Sequence, residues 1–139
     1  MQTIIRMLTN RTHFIIVDDD PINNLITKRI ITKNRPQADM ITFTEPEKGL
    51  DYVLSALSAL SKSDKDKAIL LLDINMPNMT GWQFMERLEH EGALVGKGLL
   101  IYILSSSIDA ADIERARVNP HISDFIMKPL TAEVIHSFA

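Results

Sequence analysis

The sequence predicts an α/β protein, a single domain with a doubly wound five-stranded parallel sheet and helices on both faces. Five short apolar runs alternate with five stretches of helical periodicity, and such alternation forms parallel sheets through right-handed crossovers. The runs at 68–73 and 99–105 are continuously apolar, as expected of strands that are covered on both faces. A length of 139 residues fits one domain.

The composition excludes several classes of function. Hydrophobic residues make up 45% and charged residues 24% of the chain, as in ordinary globular proteins. A net charge of -3 without a Lys/Arg block gives no reason to expect nucleic-acid binding. The absence of cysteine excludes disulfides, zinc–thiolate sites and cysteine nucleophiles. No apolar run reaches 18 residues, so we expect no segment that spans a membrane and no membrane partner. The absence of cysteine is compatible with a reducing cytoplasm, which is the expected location.

The N-terminal part predicts a short extension followed by a strand and a helix. Residues 1–11 show no clear period, so we place the domain at 12–139. The first strand is predicted at His13–Asp18, which is rich in β-branched and aromatic residues. Asp20 and Pro21 then have the types that favour a helix N-cap and the first helical position. Helical spacing continues to about Lys33 in four aliphatic residues: Ile22, Leu25, Ile26 and Ile30.

The middle of the chain repeats this strand–helix order. Asp39–Thr44 alternates as a short strand, and Pro46 opens a second helix that reaches about Leu60. Residues 61–67 are polar and charged and predict a solvated loop. Ala68–Asp73 follows as the third and central strand, which ends in a carboxylate.

Three more helices and two more strands complete the predicted domain. The expected elements are a helix from Thr80-Gly81 to near Gly92, a strand at Leu99–Ser105, a weak helix at Asp109–Val118, a strand at Asp124–Met127 and a last helix at Thr131–Phe138. The chain stops at Ala139, about two turns after the last helix begins, so we expect that helix to be short or truncated.

Polar groups stand at the ends of the predicted strands, namely Asp18 and Asp19, Asp73, Ser105 and Lys128. Ligands of open α/β sheets bind at this edge, so these side chains are expected to converge. Crowded carboxylates need a cation, and oxygen-only ligands favour Mg²⁺. The metal, the lysine and the hydroxyl suit a phosphoryl group. Asp73, the lone acid on the central strand, is the candidate nucleophile.

This set resembles the receiver domain of two-component response regulators, of the chemotaxis-receiver kind. The matching segments span residues 14 to 130 in the family's order: Val17-Asp18-Asp19, Asp73 to Gly81, Leu104-Ser105-Ser106 and Phe125 to Pro129. Each segment alone is weak, but the ordered set is highly specific. The resemblance implies a flavodoxin-like fold with strand order 2-1-3-4-5.

The resemblance also implies a phosphorelay function and a residue role for each position. Asp73 would take phosphate from a sensor histidine kinase or a histidine phosphotransfer protein. Asp19, Asp73 and the backbone carbonyl of Asn75 would bind Mg²⁺ directly, with Asp18 contributing through water. Phosphorylation would then alter a partner-binding face formed by the fourth helix, the fifth strand and the fifth helix.

Three further residues have implied roles around the phosphate. Ser105 and Lys128 would contact the phosphate, and Phe125 would take the place of the family's switch aromatic. Lys128-Pro129 after an apolar strand fits a cis peptide that turns the lysine inward.

Two other functions use the same residue types. A Mg²⁺-dependent phosphohydrolase with an aspartate nucleophile typically needs a second acid two residues later, where this chain has Asn75. We therefore expect no turnover of an external substrate. A pseudo-receiver that binds partners without phosphorylation is disfavoured by the intact set of Asp73, Ser105 and Lys128.

Overall fold

The computed structural model describes residues 12–60, 68–91 and 98–138. The predicted N-terminal extension, the polar loop at 61–67, the predicted helix end at Gly92 and Ala139 lie outside these ranges. The five strands are β1 (His13–Val17), β2 (Asp39–Phe43), β3 (Ala68–Asp73), β4 (Leu99–Ser105) and β5 (Ile122–Met127). They form one parallel sheet in the order β2-β1-β3-β4-β5, which confirms the predicted fold class.

Within the described ranges, five helices connect and cover the strands. They are α1 (Pro21–Asn34), α2 (Pro46–Leu60), α3 (Gly81–His90), α4 (Ala110–Val118) and α5 (Ala132–Ser137). The predicted ranges of β3, β4 and α2 agree with these, and the other predicted boundaries within the described residues differ by at most two residues. The largest strand difference is at β5, which begins at Ile122 rather than Asp124 because Ile122 already pairs with Ile101. None of the described helices is long and apolar enough to cross a membrane.

Strand β3 is the centre of the core and sends side chains to both faces. Leu70 and Leu72 pack in the cluster that α2, α3 and α4 cover. Ile69 and Leu71 pack in the opposite cluster, with residues of α1 and α5. The register pairs Val17 with Leu72 and Asp73 with Leu104. The carboxyl ends of β1, β3 and β4 therefore lie side by side.

The aliphatic spacing in α1 predicts the helix correctly but does not mark its buried face. Asn24, Thr27 and Ile31 are the buried residues of this helix. Ile22 and Leu25 are instead 65% and 49% exposed, and Ile26 is exposed beside them. Helix α1 therefore carries an apolar patch on its outer surface.

Candidate functional site

Three carboxylates meet at the carboxyl edge of the sheet. Asp18 and Asp19 follow β1, and Asp73 is the last residue of β3. One carboxylate oxygen from each lies within 4.8 Å of the others. Asp18 and Asp73 are buried, and Asp19 is half-buried. The register of two adjacent parallel strands is what brings these acids together.

The acidity of Asp73 is strongly perturbed. Burial is the main cause, and it raises the pKa of Asp73 from 3.8 to about 6. The charge of Lys128 lowers this pKa, while Asp18 and Asp19 raise it further. At neutral pH Asp73 is still mostly ionised, and it is more basic than an ordinary aspartate.

Lys128 is the cation that faces these acids. Its Nζ lies 2.5 Å from Asp18 Oδ2 and 3.3 Å from Asp73 Oδ1. Only 11% of its side chain is exposed. The Lys128 amide donates to the Ser105 carbonyl at 2.8 Å, and the Lys128-Pro129 peptide is cis. The end of β5 therefore presents its lysine to the ends of β1 and β3.

The acidic loop after β1 is held by its own hydrogen bonds. Asp20 caps α1 by accepting from the Ile22 amide at 2.9 Å, and the Asp20 amide donates to Asp18 Oδ1 at 2.9 Å. Buried Asn24 donates from Nδ2 to the carbonyl of Asp18 at 2.9 Å and to that of Phe43 at 3.4 Å. The side chain of Asp20 is thus engaged in capping, whereas Asp19 lies within the acid cluster.

The loop after β3 brings the start of α3 against the phosphoacceptor candidate. The Gly81 amide donates to the Ile74 carbonyl at 2.8 Å. A Cβ at position 81 would lie 2.6 Å from the Asp73 carbonyl oxygen, so only glycine fits there. Asn75 lies in this loop with an exposed side chain, between buried Ile74 and Met76.

Ser105 is almost fully buried at the end of β4, with 1% of its surface exposed. Its hydroxyl donates to the Ser107 carbonyl at 3.1 Å, and the Ser107 amide donates back to Ser105 Oγ at 3.2 Å. In this state the Ser105 hydroxyl is therefore engaged by its own loop.

Phe125 lies on the edge strand β5, two residues before that strand ends. It is half-buried and packs against the core cluster beneath α4. It also lines a groove of about 480 Å³ between α4 and β5, together with Ile108, Ile113 and Ile122. The aromatic ring thus lies beside open apolar space, away from the acids.

Three residues that shape the site were not predicted to do so from the sequence. They are Asn24, which holds the Asp18 carbonyl, Gly81, which packs against Asp73, and Ser107, which bonds Ser105. Asn24 falls one turn after the helix cap, and no pattern separates it from a surface asparagine. Gly81 could have been recognised as the residue after the Thr80 cap, but its contact with Asp73 depends on how the loop closes.

The donor set fits a hard divalent cation. The three acids supply only oxygen atoms, which Mg²⁺ prefers, and they lie close enough together for one ion. A lysine next to the acids suits an anionic group such as a phosphoryl. The arrangement can therefore combine a cation, a basic carboxylate and a phosphoryl group.

Comparisons with known proteins agree with this arrangement. The family model for the response regulator receiver domain matches residues 14–139. The sensor protein EvgS of Escherichia coli O157:H7 and that of strain K12 are each 27% identical over 129 residues. That alignment covers 92% of this chain but 9% of the sensor proteins, so the chain spans less than a tenth of these relatives.

Solved structures show the same fold. A two-component response regulator from Cytophaga hutchinsonii has a TM-score of 0.74 at 24% identity, covering 91% of this chain and 92% of that one. A response regulator receiver protein from Dyadobacter fermentans has a TM-score of 0.74 at 27% identity, covering 89% and 91%. The chain belongs to the response regulator receiver domain family.

Proposed function

We propose that Asp73 accepts a phosphoryl group, in a Mg²⁺-dependent reaction in the cytoplasm, from the phosphohistidine of a sensor histidine kinase or a histidine phosphotransfer protein. The observation that carries this proposal is the buried basic carboxylate of Asp73 beside Lys128 and two further acids. Receiver domains are signalling modules of two-component systems, which agrees with an acceptor role rather than catalysis on a free substrate.

The transfer uses the carboxylate of Asp73 as the nucleophile. A carboxylate oxygen attacks phosphorus, the bond from phosphorus to the histidine nitrogen breaks, and the imidazole leaves with the electron pair. The product is an acyl phosphate. In the metal-free site burial raises the pKa of Asp73 to about 6, so the carboxylate is mostly ionised at neutral pH. A cation bound beside it would favour the ionised, attacking form further.

Asp18, Asp19 and Asp73, with the backbone carbonyl of Asn75, would hold the Mg²⁺ ion. When bound, the ion supplies positive charge that offsets the crowded carboxylates and the phosphoryl oxygens. Asn24 already holds the backbone of the acidic loop through the Asp18 carbonyl, and a bound ion would hold the carboxylates of the same loop.

Lys128 and Ser105 would bind the phosphoryl group once it is attached. The lysine already contacts Asp73 at 3.3 Å, so a phosphoryl there offers it additional anionic oxygens. The Ser105 hydroxyl must give up its bond to the Ser107 carbonyl before it can donate to the phosphate. This exchange of partners links phosphorylation to movement of the loop after β4.

The exposed patch on α1 is our candidate docking site for the phosphohistidine protein. Ile22 and Leu25 lie on the outer surface of α1, and Ile26 lines a groove that also includes Ser106 and Lys128. A donor must bring its histidine to this side of the site, so an apolar surface here is positioned to bind it.

A downstream partner would bind the face formed by α4, β5 and α5. Phe125 and the groove between α4 and β5 lie on this face, and the groove gives the ring space to change its position. Phosphorylation would then shift the population between two arrangements of the face rather than create a new fold.

Turnover of an external substrate is disfavoured by one residue. A phosphohydrolase of this design needs a proton donor two residues after the nucleophile, and an amide side chain such as that of Asn75 cannot supply a proton.

The decisive experiment is labelling with acetyl phosphate and Mg²⁺, followed by intact mass measurement. We expect a gain of one phosphate in the unaltered protein and none in Asp73→Asn, a nearly isosteric change. Asp20→Asn is the matched control, because asparagine caps a helix as well as aspartate does. Labelling that persists in Asp73→Asn would refute the assignment of Asp73.

A further inference from the structure

A row of polar side chains connects helix α4 to helix α3. We call it the α3–α4 seam, and it consists of Trp82, Glu86 and Glu89 on α3 with Asp112, Arg115 and Asn119 on or next to α4. The Trp82 indole Nε1 donates to Asp112 Oδ1 at 2.9 Å. The Arg115 guanidinium carbon lies 4.7 Å from the centre of the Trp82 ring, and its Nη2 lies 3.4 Å from Glu86 Oε1. At the far end, Asn119 Nδ2 donates to Glu89 Oε1 at 3.2 Å.

The Trp82–Asp112 bond is the strongest contact of the seam. With α4 in its present position Trp82 is 7% exposed, so its indole N–H has little access to water and depends on Asp112 as its acceptor. A buried donor without a partner is unfavourable, and a charged acceptor strengthens the bond. The Arg115–Glu86 pair is more than half exposed on both sides and contributes little by itself.

Apart from the seam, α4 makes few buried apolar contacts with the sheet. Ala116 is its buried residue, and Ile113 is exposed. The groove of about 480 Å³ lies between α4 and β5, so this helix has space into which it can move. An element with few buried apolar contacts and adjacent open volume is easily displaced.

The other side of the seam begins at the phosphoacceptor. Gly81, the residue before Trp82, packs against the Asp73 carbonyl with no room for a Cβ, and its amide donates to the Ile74 carbonyl. If the Asp73 peptide moves, the first turn of α3 must therefore move with it, and so must the Trp82 side chain.

We infer that the α3–α4 seam is a restraint that holds α4 in its present position, and that Asp73 acts on it through Gly81 and Trp82. This is a second connection to α4, separate from the one through Ser105 and Phe125. The restraint itself stands on the contacts alone, whereas its link to phosphate rests on the proposed function.

The restraint is tested first without any phosphate mimic. Asp112→Ala removes the acceptor for the indole N–H, while Asp112→Asn keeps it and serves as the matched control. We expect amide exchange in residues 110–118 to be about fivefold faster in Asp112→Ala and much less affected in Asp112→Asn, which keeps a neutral, weaker acceptor. Trp82→Phe breaks the same bond from the other side, keeps the charge at Asp112 and should reproduce the faster exchange.

Fluorescence of Trp82, the chain's single tryptophan, gives an independent measure in the Asp112 variants. Its emission should shift to longer wavelength in Asp112→Ala and remain as in the unaltered protein in Asp112→Asn. Exchange in 110–118 that is equal in Asp112→Ala, Trp82→Phe and the unaltered protein would overturn the restraint.

The link to phosphate is tested with beryllofluoride, a phosphoryl mimic. Because coupling is reciprocal, a variant with α4 released should bind beryllofluoride about fivefold more tightly, while its affinity for Mg²⁺ alone stays the same. Equal beryllofluoride affinity in Asp112→Ala and Asp112→Asn would overturn this link. If the unaltered protein binds no beryllofluoride, the proposed phosphoacceptor function fails, and the exchange result still decides the restraint.

Discussion

Lys128 lies closer to Asp18 than to Asp73, with its Nζ 2.5 Å from Asp18 Oδ2 and 3.3 Å from Asp73 Oδ1. The lysine thus neutralises the acidic loop and the phosphoacceptor candidate together. Any cation that binds the acids would share their carboxylate oxygens with Lys128. Any phosphoryl group on Asp73 would compete with Asp18 for contact with Lys128. The position of one ammonium group would therefore connect the proposed metal binding with the proposed phosphate binding.

Removing this ammonium should change the two affinities in opposite directions. Lys128→Met keeps the unbranched stem of the side chain and removes the charged ammonium group, so Mg²⁺ should bind about tenfold more tightly to the more negative cluster. Beryllofluoride should bind more weakly, because a contact for its fluorine atoms is lost. Titration calorimetry measures both. Lys48→Met, at an exposed lysine paired with Glu45, is the control and should change neither affinity. Parallel weakening of both ligands by Lys128→Met would contradict this account.

The raised pKa of Asp73 predicts that this residue lowers the stability of the metal-free protein increasingly as the pH rises from about 4 to about 6. The folded state binds this proton with a pKa of about 6, and the unfolded state with one near 3.8. The folded state therefore holds more protons across this window, and its stability falls until both states are ionised. The difference of about two pKa units corresponds to about 3 kcal/mol.

Urea unfolding in EDTA measures this pH dependence. Asp73→Asn cannot ionise, so it should be more stable than the unaltered protein at pH 7.5 and much closer to it at pH 4. Mg²⁺ at pH 7.5 should restore stability to the unaltered protein by binding only its folded state. A constant difference between the two proteins across the pH range would show that the Asp73 proton is not the cause.

Mg²⁺ binding should depend on Asp19 and not on Asp20. Asp19 lies in the acid cluster, whereas the Asp20 carboxylate caps α1 at the Ile22 amide. Thermal unfolding with and without Mg²⁺ tests this difference. Asp19→Asn should lose the rise in Tm, and Asp20→Asn should retain both the cap and the rise. Loss of the response in Asp20→Asn alone would mean that the roles of the two neighbours are reversed.

The strand-end acids and the fold could be predicted because both follow from local patterns. Continuous apolar runs mark strands that are buried on both faces, and β3 is buried along its whole length. Parallel pairing then brings the last residues of β1 and β3 together regardless of the conformation of the loops. For this reason the convergence of Asp18, Asp19 and Asp73 was visible in the sequence.

Features that depend on packing between distant elements could not be predicted in the same way. The exposed patch on α1 has a helical period, but only the docking of the helix on the sheet decides which side is buried. Trp82 and Asp112 are 30 residues apart, and their bond depends on the relative position of α3 and α4. No local propensity encodes such a contact.

Because Gly81 packs closely against Asp73, replacing this glycine by alanine should disturb the site, whereas the same replacement at Gly49 should not. In Gly81→Ala the new Cβ would lie 2.6 Å from the Asp73 carbonyl oxygen, which is backbone and must move with its strand. Gly49→Ala is the matched control, since its Cβ would lie 2.8 Å from a methyl group of buried Val17. Overpacking should destabilise both variants by about 1–3 kcal/mol in urea unfolding. Only Gly81→Ala should also weaken Mg²⁺ binding, by about tenfold, because it displaces the residue that carries the third carboxylate. Equal Mg²⁺ affinity in the two variants would show that the contact between Gly81 and Asp73 serves packing alone.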